Sequence, residues 1–365
     1  MAAGARILKK LGLQQQLKAV ANQMDGFQVH VHANGKELHA LELAACTAMR
    51  RDLQKILVES MPPSVIKLGH KLVDIVEGED DVTLEFANGA KASAHLVVAA
   101  DGIHSFVRQK IFGEDQPDYT GFRVLYSVSS KPFRPDPTVA NVHWKEVEGV
   151  GYGFLDMTAG QGEKRHDVMI IIMRSDQQVT DRWDSTLAKE KLMDFAEHLA
   201  PDHPVLRQAV ETSEVCFDWG IHKQPCRKSW ISKQGRVVLL GDAAHATAPF
   251  MGQGANMAMH DAYVLGQILL NEKISLPEGL QLYESRRKPY CESVVSKSSM
   301  VGALHTASGF TATLRNHFLC WMMLRKLKAI VATDPTAQKP WEEEEHPPFF
   351  QRMSKKIHRI CSKVL

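Results

Sequence analysis

One segment constrains the fold of this 365-residue chain more than any other. It has the sequence GRVVLLGDAAHATAPFMGQGANMAMHDAYVLG and extends from Gly235 to Gly266. Its stretch of residues 236–240, which is apolar after Arg236, predicts a strand buried on both faces, as in a parallel sheet covered by helices. Gly241 and Asp242 end that strand, and a helix is predicted from Ala255 to Leu270. In open α/β sheets, ligands bind beyond the carboxyl ends of the strands.

The polar residues and glycines of this segment indicate what would bind there. The start of the predicted helix offers backbone N–H donors to anionic ligand atoms. Asp242 can accept hydrogen bonds from sugar or ribityl hydroxyls, and glycines let the backbone approach a flat ring without Cβ clashes. A tight loop in which Asp242 only caps a helix is the alternative. We expect these residues to bind a flavin nucleotide: Gly241, Asp242, Pro249, Gly252, Gly254, Ala255 and Asn256.

A second segment, LVVAADGIHSFVRQKIFG from Leu96 to Gly113, has the same pattern. Its first five residues predict another strand buried on both faces, and Asp101 and Gly102 follow it. Ser105 and Arg108 fall in the first turns of a short predicted helix. Arg108 can bind a phosphate through two hydrogen bonds, and Asp101 can hold a ribose hydroxyl or fix the loop. An ordinary strand-to-helix corner with a capping Asp is the alternative.

The two segments resemble motifs of a known family. ADGIHSFVR resembles the Asp-Gly motif, and GDAAHATAPFMGQGANMAMHDA the Gly-Asp motif, of the flavoprotein aromatic-ring monooxygenases, which include salicylate hydroxylase, para-hydroxybenzoate hydroxylase and zeaxanthin epoxidase. RRDL from Arg50 resembles the family's Arg-x-x-Leu, whose first Arg reaches the flavin, and YESRRKP from Tyr283 resembles its late helical signature. The resemblance extends from Ala5 to Val301. Arg50 and Leu72 therefore join the cofactor-binding candidates.

The resemblance implies an α/β (α+β) fold, in which a Rossmann-like FAD/NAD(P)-binding domain carries an inserted mixed β-sheet substrate domain. Family members hold the FAD pyrophosphate on a G-x-G-x-x-G turn near their start, and this sequence contains no such pattern. We therefore expect the Rossmann-like domain to be incomplete at the N-terminus. The predicted parts are residues 1–118 and 229–310 for the FAD-binding domain, 119–228 for the substrate domain and 311–365 for a C-terminal helical tail.

The resemblance also implies a reaction. NADPH or NADH would reduce FAD, O2 would add to the reduced ring at C4a, and the resulting hydroperoxide would transfer one oxygen atom to a small aromatic or conjugated substrate. The protein would position that substrate, exclude water and stabilise developing charge. Two alternatives stay open. One is a catalytically silent remnant or binding protein of the family, and the other is a different flavin oxidoreductase with the same motifs.

The substrate side is predicted from a single strand near Phe217. Alternation from there puts Gly220, His222 and Gln224 on one side, which the analogy with relatives turns toward the pocket. His222 is the candidate catalytic residue, as a base or as a hydrogen-bond partner for a phenol. A structural or exposed histidine is the competing interpretation.

Composition excludes several classes of protein. The formal charge of +2 is too small and too dispersed for a nucleic-acid-binding stripe. The six cysteines contain no Cys-x-x-Cys pair that would hold zinc or run a disulfide cycle, so no metal is expected. No apolar stretch approaches the roughly 20 residues needed to span a bilayer, and the first residues, MAAGARILKKLGLQQQL, contain no apolar h-region of a signal peptide. A cytoplasmic protein is expected.

The last 15 residues, QRMSKKIHRICSKVL, carry a separate prediction. Met353, Ile357, Ile360 and Val364 would lie on one helical face, with basic residues elsewhere. Such a helix can make weak contact with an anionic membrane, as can the stretch from Phe318 to Leu327. A docked or frayed terminal helix is the alternative.

Overall fold

The computed structural model describes residues 2–31, 36–113, 116–175, 185–199 and 205–316. The chain divides into two compact units, each formed by discontinuous segments. Unit 1 comprises residues 1–61, 121–221 and 302–365, and unit 2 comprises residues 62–120 and 222–301.

Runs of strands and runs of helices follow one another along the described part of the chain. The strands are β1 (Asn22–Val31), β2 (Lys36–Thr47), β3 (Leu72–Glu77), β4 (Val82–Phe86), β5 (Lys91–Ala94), β6 (Val97–Ala99), β7 (Asp118–Ser129), β8 (Val139–Val147), β9 (Val150–Ala159), β10 (His166–Arg174), β11 (Val215–Lys223) and β12 (Val237–Leu239). The α-helices are α1 (Ala2–Lys10), α2 (Gln14–Lys18), α3 (Arg50–Glu59), α4 (Phe106–Phe112), α5 (Ser185–Asp194), α6 (Leu206–Glu211), α7 (Asp242–His245), α8 (Gly254–Leu269), α9 (Leu276–His305) and α10 (Gly309–Leu314).

Unit 1 is built on a seven-stranded mixed sheet with the order β11-β7-β10-β9-β8-β1-β2. β1 and β2 pair in antiparallel orientation, and β1 also pairs in parallel with β8, from Gly26↔Val139 to Val31↔Trp144. The sequence had grouped these two strands with the first FAD-binding segment. The strand pairing groups them instead with the mixed sheet, because the backbone of β1 extends that sheet beyond β8.

The two faces of this sheet have different buried clusters of apolar side chains. On one side, Leu125, Phe154 and Ile171 form a buried core with residues of α5 and α6, including Leu192 and Leu206. The other side carries a smaller buried cluster of Val128, Ala159 and Val168, against which Met49, Tyr126, Met157 and Ile170 pack while staying partly exposed. Strand alternation alone separates the two sets.

The end of α9 approaches β8 and β9 closely in unit 1. The Trp144 indole Nε1–H donates to His305 Nδ1 at 3.1 Å, and the Arg315 guanidinium lies 4.3 Å from the centre of a Trp144 ring. Gly151 and Gly153 make this approach possible. A Cβ at Gly151 would lie 2.3 Å from the carbonyl oxygen of Ala307, and a Cβ at Gly153 would lie 2.9 Å from the His305 Cβ.

Unit 2 contains the antiparallel meander β3-β4-β5 and a parallel pair, β12-β6. The prediction of strands buried on both faces is confirmed for β12, whose Val237, Val238 and Leu239 are fully buried. It is wrong for β6, where Val98 is 40% exposed. Residues 230–232 lie along the outer edge of β12, where Leu239 N–H donates to the Trp230 carbonyl. No described strand pairs with the outer edge of β6.

These features confirm the predicted fold class, a mixed α/β fold with an inserted mixed sheet. Among the residues that the structure describes, no helix combines the length and the apolar character needed to cross a membrane. The two stretches predicted to contact a membrane, 318–327 and 351–365, lie outside the described residues.

We predict that His305 makes the protein less stable in mild acid. Burial, together with the Arg315 charge, lowers the pKa of His305 from 6.5 to about 4. Between these two values the unfolded chain binds a proton that the folded chain does not, so stability falls as the pH drops from about 6.5 toward 4, by up to about 3 kcal/mol. Urea unfolding across this range should show a shallower loss for His305→Asn, which keeps an acceptor for Trp144. The exposed His95→Asn control should match the wild type, and an unchanged slope in His305→Asn would contradict the prediction.

Candidate cofactor site

The parallel pairing of β6 and β12 brings the two acid-glycine ends together in unit 2. The register pairs Val97 with Val237 and Ala99 with Leu239. Leu240 N–H then donates to the Ala99 carbonyl at 2.9 Å. Both strands point the same way, so Asp101 and Gly241 leave the pair at the same edge. The edge predicted to bind the cofactor is therefore formed by both motifs.

Asp101 organises the start of α4. Its carboxylate accepts from the Ser105 hydroxyl at 2.5 Å and from Val107 N–H at 3.1 Å, and the Ser105 oxygen accepts from Arg108 N–H at 2.9 Å. Ser105 is thus the N-cap of α4, and Gly102 has a φ of +83° between the two. These contacts support the alternative that Asp101 fixes the loop. A contact between Asp101 and a ribose hydroxyl stays a prediction.

Arg108 is buried and points to the Gly-Asp segment. Its guanidinium donates to the carbonyl oxygens of Pro225, Ala243 and Ala244 at 3.0, 3.1 and 3.2 Å. Only 1% of its surface is exposed, so the phosphate contact expected from the sequence would require this side chain to move. In the structure, Arg108 connects the two motifs by binding backbone oxygens. Its binding of a phosphate stays a prediction.

The Gly241-Asp242 turn carries the exposed acid of the site. Gly241 has φ of 61° and ψ of −139°, a conformation that a residue with a Cβ rarely adopts, and a Cβ there would lie 3.1 Å from the Ala258 Cβ. Asp242 follows as the first residue of α7 and is exposed. An ideal Cβ on Gly254 would lie 3.8 Å from Asp242 Oδ1, so the start of α8 lies beside this carboxylate.

The loop between α7 and α8 presents backbone at the same edge. Pro249 begins a short 3₁₀ turn that ends at Gly252, which has a left-handed conformation with φ of 60°. The 16-residue helix α8 follows, and its N-cap residue, Gln253, makes no side-chain capping hydrogen bond. The first N–H groups of α8, including that of the exposed Ala255, are therefore uncapped by that side chain. Asn256 is buried and donates to the Gly252 carbonyl at 3.3 Å, so it fixes the loop.

A buried network beneath this turn was missed by the sequence reasoning. Asp261 of α8 has no exposed surface, and its carboxylate contacts the Cys291 thiol, 4.0 Å from Oδ1, and three nitrogen donors. Oδ1 accepts from Arg287 Nε at 2.7 Å, while Oδ2 lies 2.6 Å from His245 Nε2 and accepts from Gly241 N–H at 3.2 Å. The signal was present, since His245 and Asp261 stand in the Gly-Asp motif and Arg287 in YESRRKP. What the motifs did not reveal is that these residues meet.

The same network could be mistaken for a metal site. His245, Asp261 and Cys291 place their ligand atoms within 4.8 Å of one another. The Arg287 guanidinium, however, already pairs with the Asp261 carboxylate, and a second cation would be repelled there. Burial raises the pKa of the Cys291 thiol, and the nearby Asp261 charge raises it further, so Cys291 is protonated rather than a thiolate ligand. The cluster is an ion-pair network.

The remaining candidates lie elsewhere. Leu72 begins β3 and packs against the core of unit 2. Arg50 is the exposed first residue of α3 in unit 1, and its neighbour Arg51 bonds to His166 at 2.8 Å. His222 is half-buried, with its ring centre 5.4 Å from that of Tyr119.

The structure gives a different view of the strand that carries His222. Cys216, two positions before Asp218 along β11, packs in the core formed with α5 and α6, and Asp218 pairs with Lys191 of α5. Gly220 and His222 have the same alternation and therefore belong to the side that carries the helices. The prediction from the sequence had placed this side of the strand toward the substrate pocket. A catalytic role for His222 stays a prediction.

The described residues fit part of an FAD molecule. The exposed Asp242 carboxylate can accept from ribityl hydroxyls, and the first turn of α8 beside it, which the Gln253 side chain does not cap, can offer N–H donors to the anionic or carbonyl atoms of a flavin ring. Gly254 stands between them without a Cβ. For the pyrophosphate, in contrast, the sequence supplies no G-x-G-x-x-G turn. The fit therefore concerns the flavin and ribityl end.

Comparison with known proteins agrees with this geometry. A family described as FAD binding domain matches residues 4–298. The 3-amino-4-hydroxybenzoate 2-monooxygenase PtnB3 of Streptomyces platensis is 28% identical over 335 residues, which cover 86% of this chain and 79% of that protein. The 3-amino-4-hydroxybenzoate 2-monooxygenase of Streptomyces cremeus is 30% identical over 300 residues, covering 78% and 72%.

A solved structure supports the fold. Klebsiella pneumoniae HpxO complexed with FAD and uric acid superposes with a TM-score of 0.74 at 19% identity, covering 93% of this chain and 86% of that one. With the family match, the site defines a flavin-dependent monooxygenase that uses FAD. The chain belongs to the FAD-binding family of aromatic-ring monooxygenases, and the resemblance found in the sequence is confirmed.

We predict that Gly241→Ala destabilises the protein. The new side chain would be strained by the backbone conformation and crowded by Ala258, for a cost of about 2 to 3 kcal/mol. Gly266→Ala is a matched control within α8, because nothing lies within 4 Å of its Cβ position and alanine favours a helix by about 1 kcal/mol. Urea unfolding should give opposite signs for the two variants. Equal stability of Gly241→Ala and the wild type would refute the assigned conformation.

Proposed function

We propose that this protein uses NADPH or NADH and O2 to hydroxylate or epoxidise a small aromatic or conjugated substrate. The balanced reaction takes substrate, NAD(P)H, a proton and O2, and yields oxygenated substrate, NAD(P)+ and water. Bound FAD supplies the electron transfer and the activation of oxygen. The chain's own residues hold FAD and position the substrate.

One observation supports this proposal above the others. β6 and β12 pair so that their acid-glycine ends leave at one edge, with the start of α8, whose N-cap residue makes no side-chain capping hydrogen bond, beside Asp242. A helix N-terminus next to a hydroxyl-accepting carboxylate suits a ligand that has both polyol hydroxyls and anionic or carbonyl ring atoms. The family match supports the same ligand. No comparison supports the alternative of a silent remnant.

The aromatic side of the mixed sheet supports the substrate class. Tyr126, Phe217 and Trp219 of β7 and β11 form a half-buried cluster, with ring centres 5.8 to 6.1 Å apart. Such a cluster stacks well against a flat ring. Burial raises the pKa of the Tyr126 phenol to about 12, so it stays neutral and can donate a hydrogen bond. The names of the relatives, which act on a hydroxybenzoate, support an aromatic substrate.

We predict that Asp242→Ala weakens FAD binding about tenfold, because an exposed acceptor for ribityl hydroxyls is lost. Quenching of flavin fluorescence during titration would measure this, with circular dichroism unchanged. Asp80→Ala, which removes a fully exposed acid of the same unit, is the control and should bind FAD as the wild type does. Equal affinity of the Asp242 variant would remove Asp242 from the site.

The activity itself is tested with FAD at saturating concentration. NADPH and NADH oxidation should accelerate when hydroxybenzoates or related phenols are added, and mass spectrometry should find one added oxygen atom from 18O-labelled O2. A protein that binds FAD but shows neither effect over a panel of such compounds would support the silent remnant. Dehydrogenation without oxygen incorporation would support a different flavin oxidoreductase.

We predict that Trp219→Leu raises the KM for the aromatic substrate about tenfold and leaves FAD affinity within about twofold, because it removes ring stacking but no group of the Gly-Asp turn. Steady-state kinetics with the best phenol from the panel measure this. Phe310→Leu is the control, since Phe310 is a highly exposed aromatic residue in α10. A change in FAD affinity without a change in KM would place Trp219 outside the substrate face.

A further inference from the structure

The buried network under the Gly-Asp turn connects four elements of unit 2. Asp261 lies in α8, Arg287 in α9 and His245 at the end of α7. The fourth element is β12, since Gly241, whose N–H donates to Asp261, comes shortly after that strand. His245, Asp261 and Arg287 are all at least 96% buried. A carboxylate buried to this degree is costly unless it is paired and hydrogen-bonded, and here both oxygens are.

The hydrogen-bonding role of His245 follows from its surroundings. Its Nε2 lies 2.6 Å from the carboxylate, which can only accept, so Nε2 carries a hydrogen. Its Nδ1 is buried and has no hydrogen-bond partner in the described residues. His245 therefore contributes to the network as a donor to Asp261 through Nε2, while Arg287 is the cation paired with the carboxylate.

The carboxylate acts directly on the backbone of the cofactor site. Asp261 Oδ2 is shared between His245 and Gly241 N–H, and the Gly241 conformation determines where Asp242 leaves the strand. With His245 on one side of the oxygen, the carboxylate cannot rotate away from the peptide without losing a short, charged hydrogen bond. The peptide before Asp242 is thus fixed from below by a buried charge.

We propose that His245, Asp261 and Arg287 are positioning residues that hold Asp242 in the orientation that binds FAD. None of them touches the cofactor, and their effect on FAD passes through Gly241 to the Asp242 carboxylate. This inference rests on the proposed function, because it assumes that Asp242 binds FAD. A role in packing alone would stabilise unit 2 without any specific connection to Asp242.

A double-mutant cycle separates positioning from packing. His245→Leu keeps an apolar side chain in the space but removes the donor, and it is measured with and without Asp242→Ala. With Asp242 present, we expect His245→Leu to weaken FAD binding about tenfold, and with Ala at 242 less than about twofold, because no carboxylate remains to be oriented. His245→Gln, whose amide N–H can replace that of Nε2, should stay within about threefold of the wild type.

Two further variants guard against an effect of stability alone. Val294→Ala creates a cavity in the same core without touching the network, so it should lower the melting temperature and combine additively with Asp242→Ala. If His245→Leu does not fold, Arg287→Lys replaces it in the cycle, since it keeps the charge and changes the hydrogen-bond geometry.

The outcomes are distinct. Non-additivity with Asp242→Ala, together with rescue by glutamine, supports positioning. Additive effects, or a glutamine variant as weak as the leucine variant, would overturn the positioning role while the proposed function stands. A wild-type chain that binds no FAD at any concentration would overturn both.

Discussion

The candidate cofactor site depends on one backbone interaction, the parallel pairing of β6 and β12. Each strand has only three residues, yet their register decides which side chains face the core and where the two acid-glycine ends lie. A slip by one residue would turn each side chain of β12 to the opposite face and separate Asp101 from the Gly241 turn. The other features of the site are attached to this pair: the Arg108 guanidinium binds carbonyls just beyond β12, and the Asp261 carboxylate binds Gly241 N–H, the second N–H after it.

Several charged side chains of unit 2 bind backbone groups and so fix the conformation of the turns. Arg108 and Asp261 are buried and act on peptide groups, whereas Asp242 is exposed beside the start of α8. A ligand would therefore meet mostly backbone N–H groups, one carboxylate and glycine. Such a surface is rigid because its supports are charged and buried, and rigidity lowers the entropic cost of holding a large cofactor.

The sequence predicted the parts of this fold that depend on local pattern. The strand β12 follows from its apolar run and the helix α8 from helical spacing, whereas the mixed α/β class came from the resemblance to the family. The exposure of Val98 did not follow, because an apolar run shows that a strand can be buried but not whether anything covers it. The strand pairing of β1 with β8 was also missed, since a contact over more than 100 residues leaves no local signal.

For the candidate site, the motifs identified two turns that the structure brings to one edge, but not which groups each side chain contacts. Arg108 was expected to bind phosphate, and only the structure shows its guanidinium on three carbonyl oxygens. His245 and Arg287 stood within recognised motifs, yet their contact with Asp261 depends on how three helices pack. The alternation of Phe217 and Trp219 along β11 indicates an aromatic face of that strand. The substrate prediction instead used His222, which lies on the opposite face.

The two glycines of β9 limit how sequences of this kind can vary. Because Ala307 and His305 come so close to the backbone at Gly151 and Gly153, neither position can gain even a methyl group unless the end of α9 withdraws from the strand. In an alignment, a change at either glycine should therefore accompany changes in the segment after residue 301. The residue types at positions 151 and 153 are therefore coupled, along the sequence, to how closely the end of α9 packs against β9.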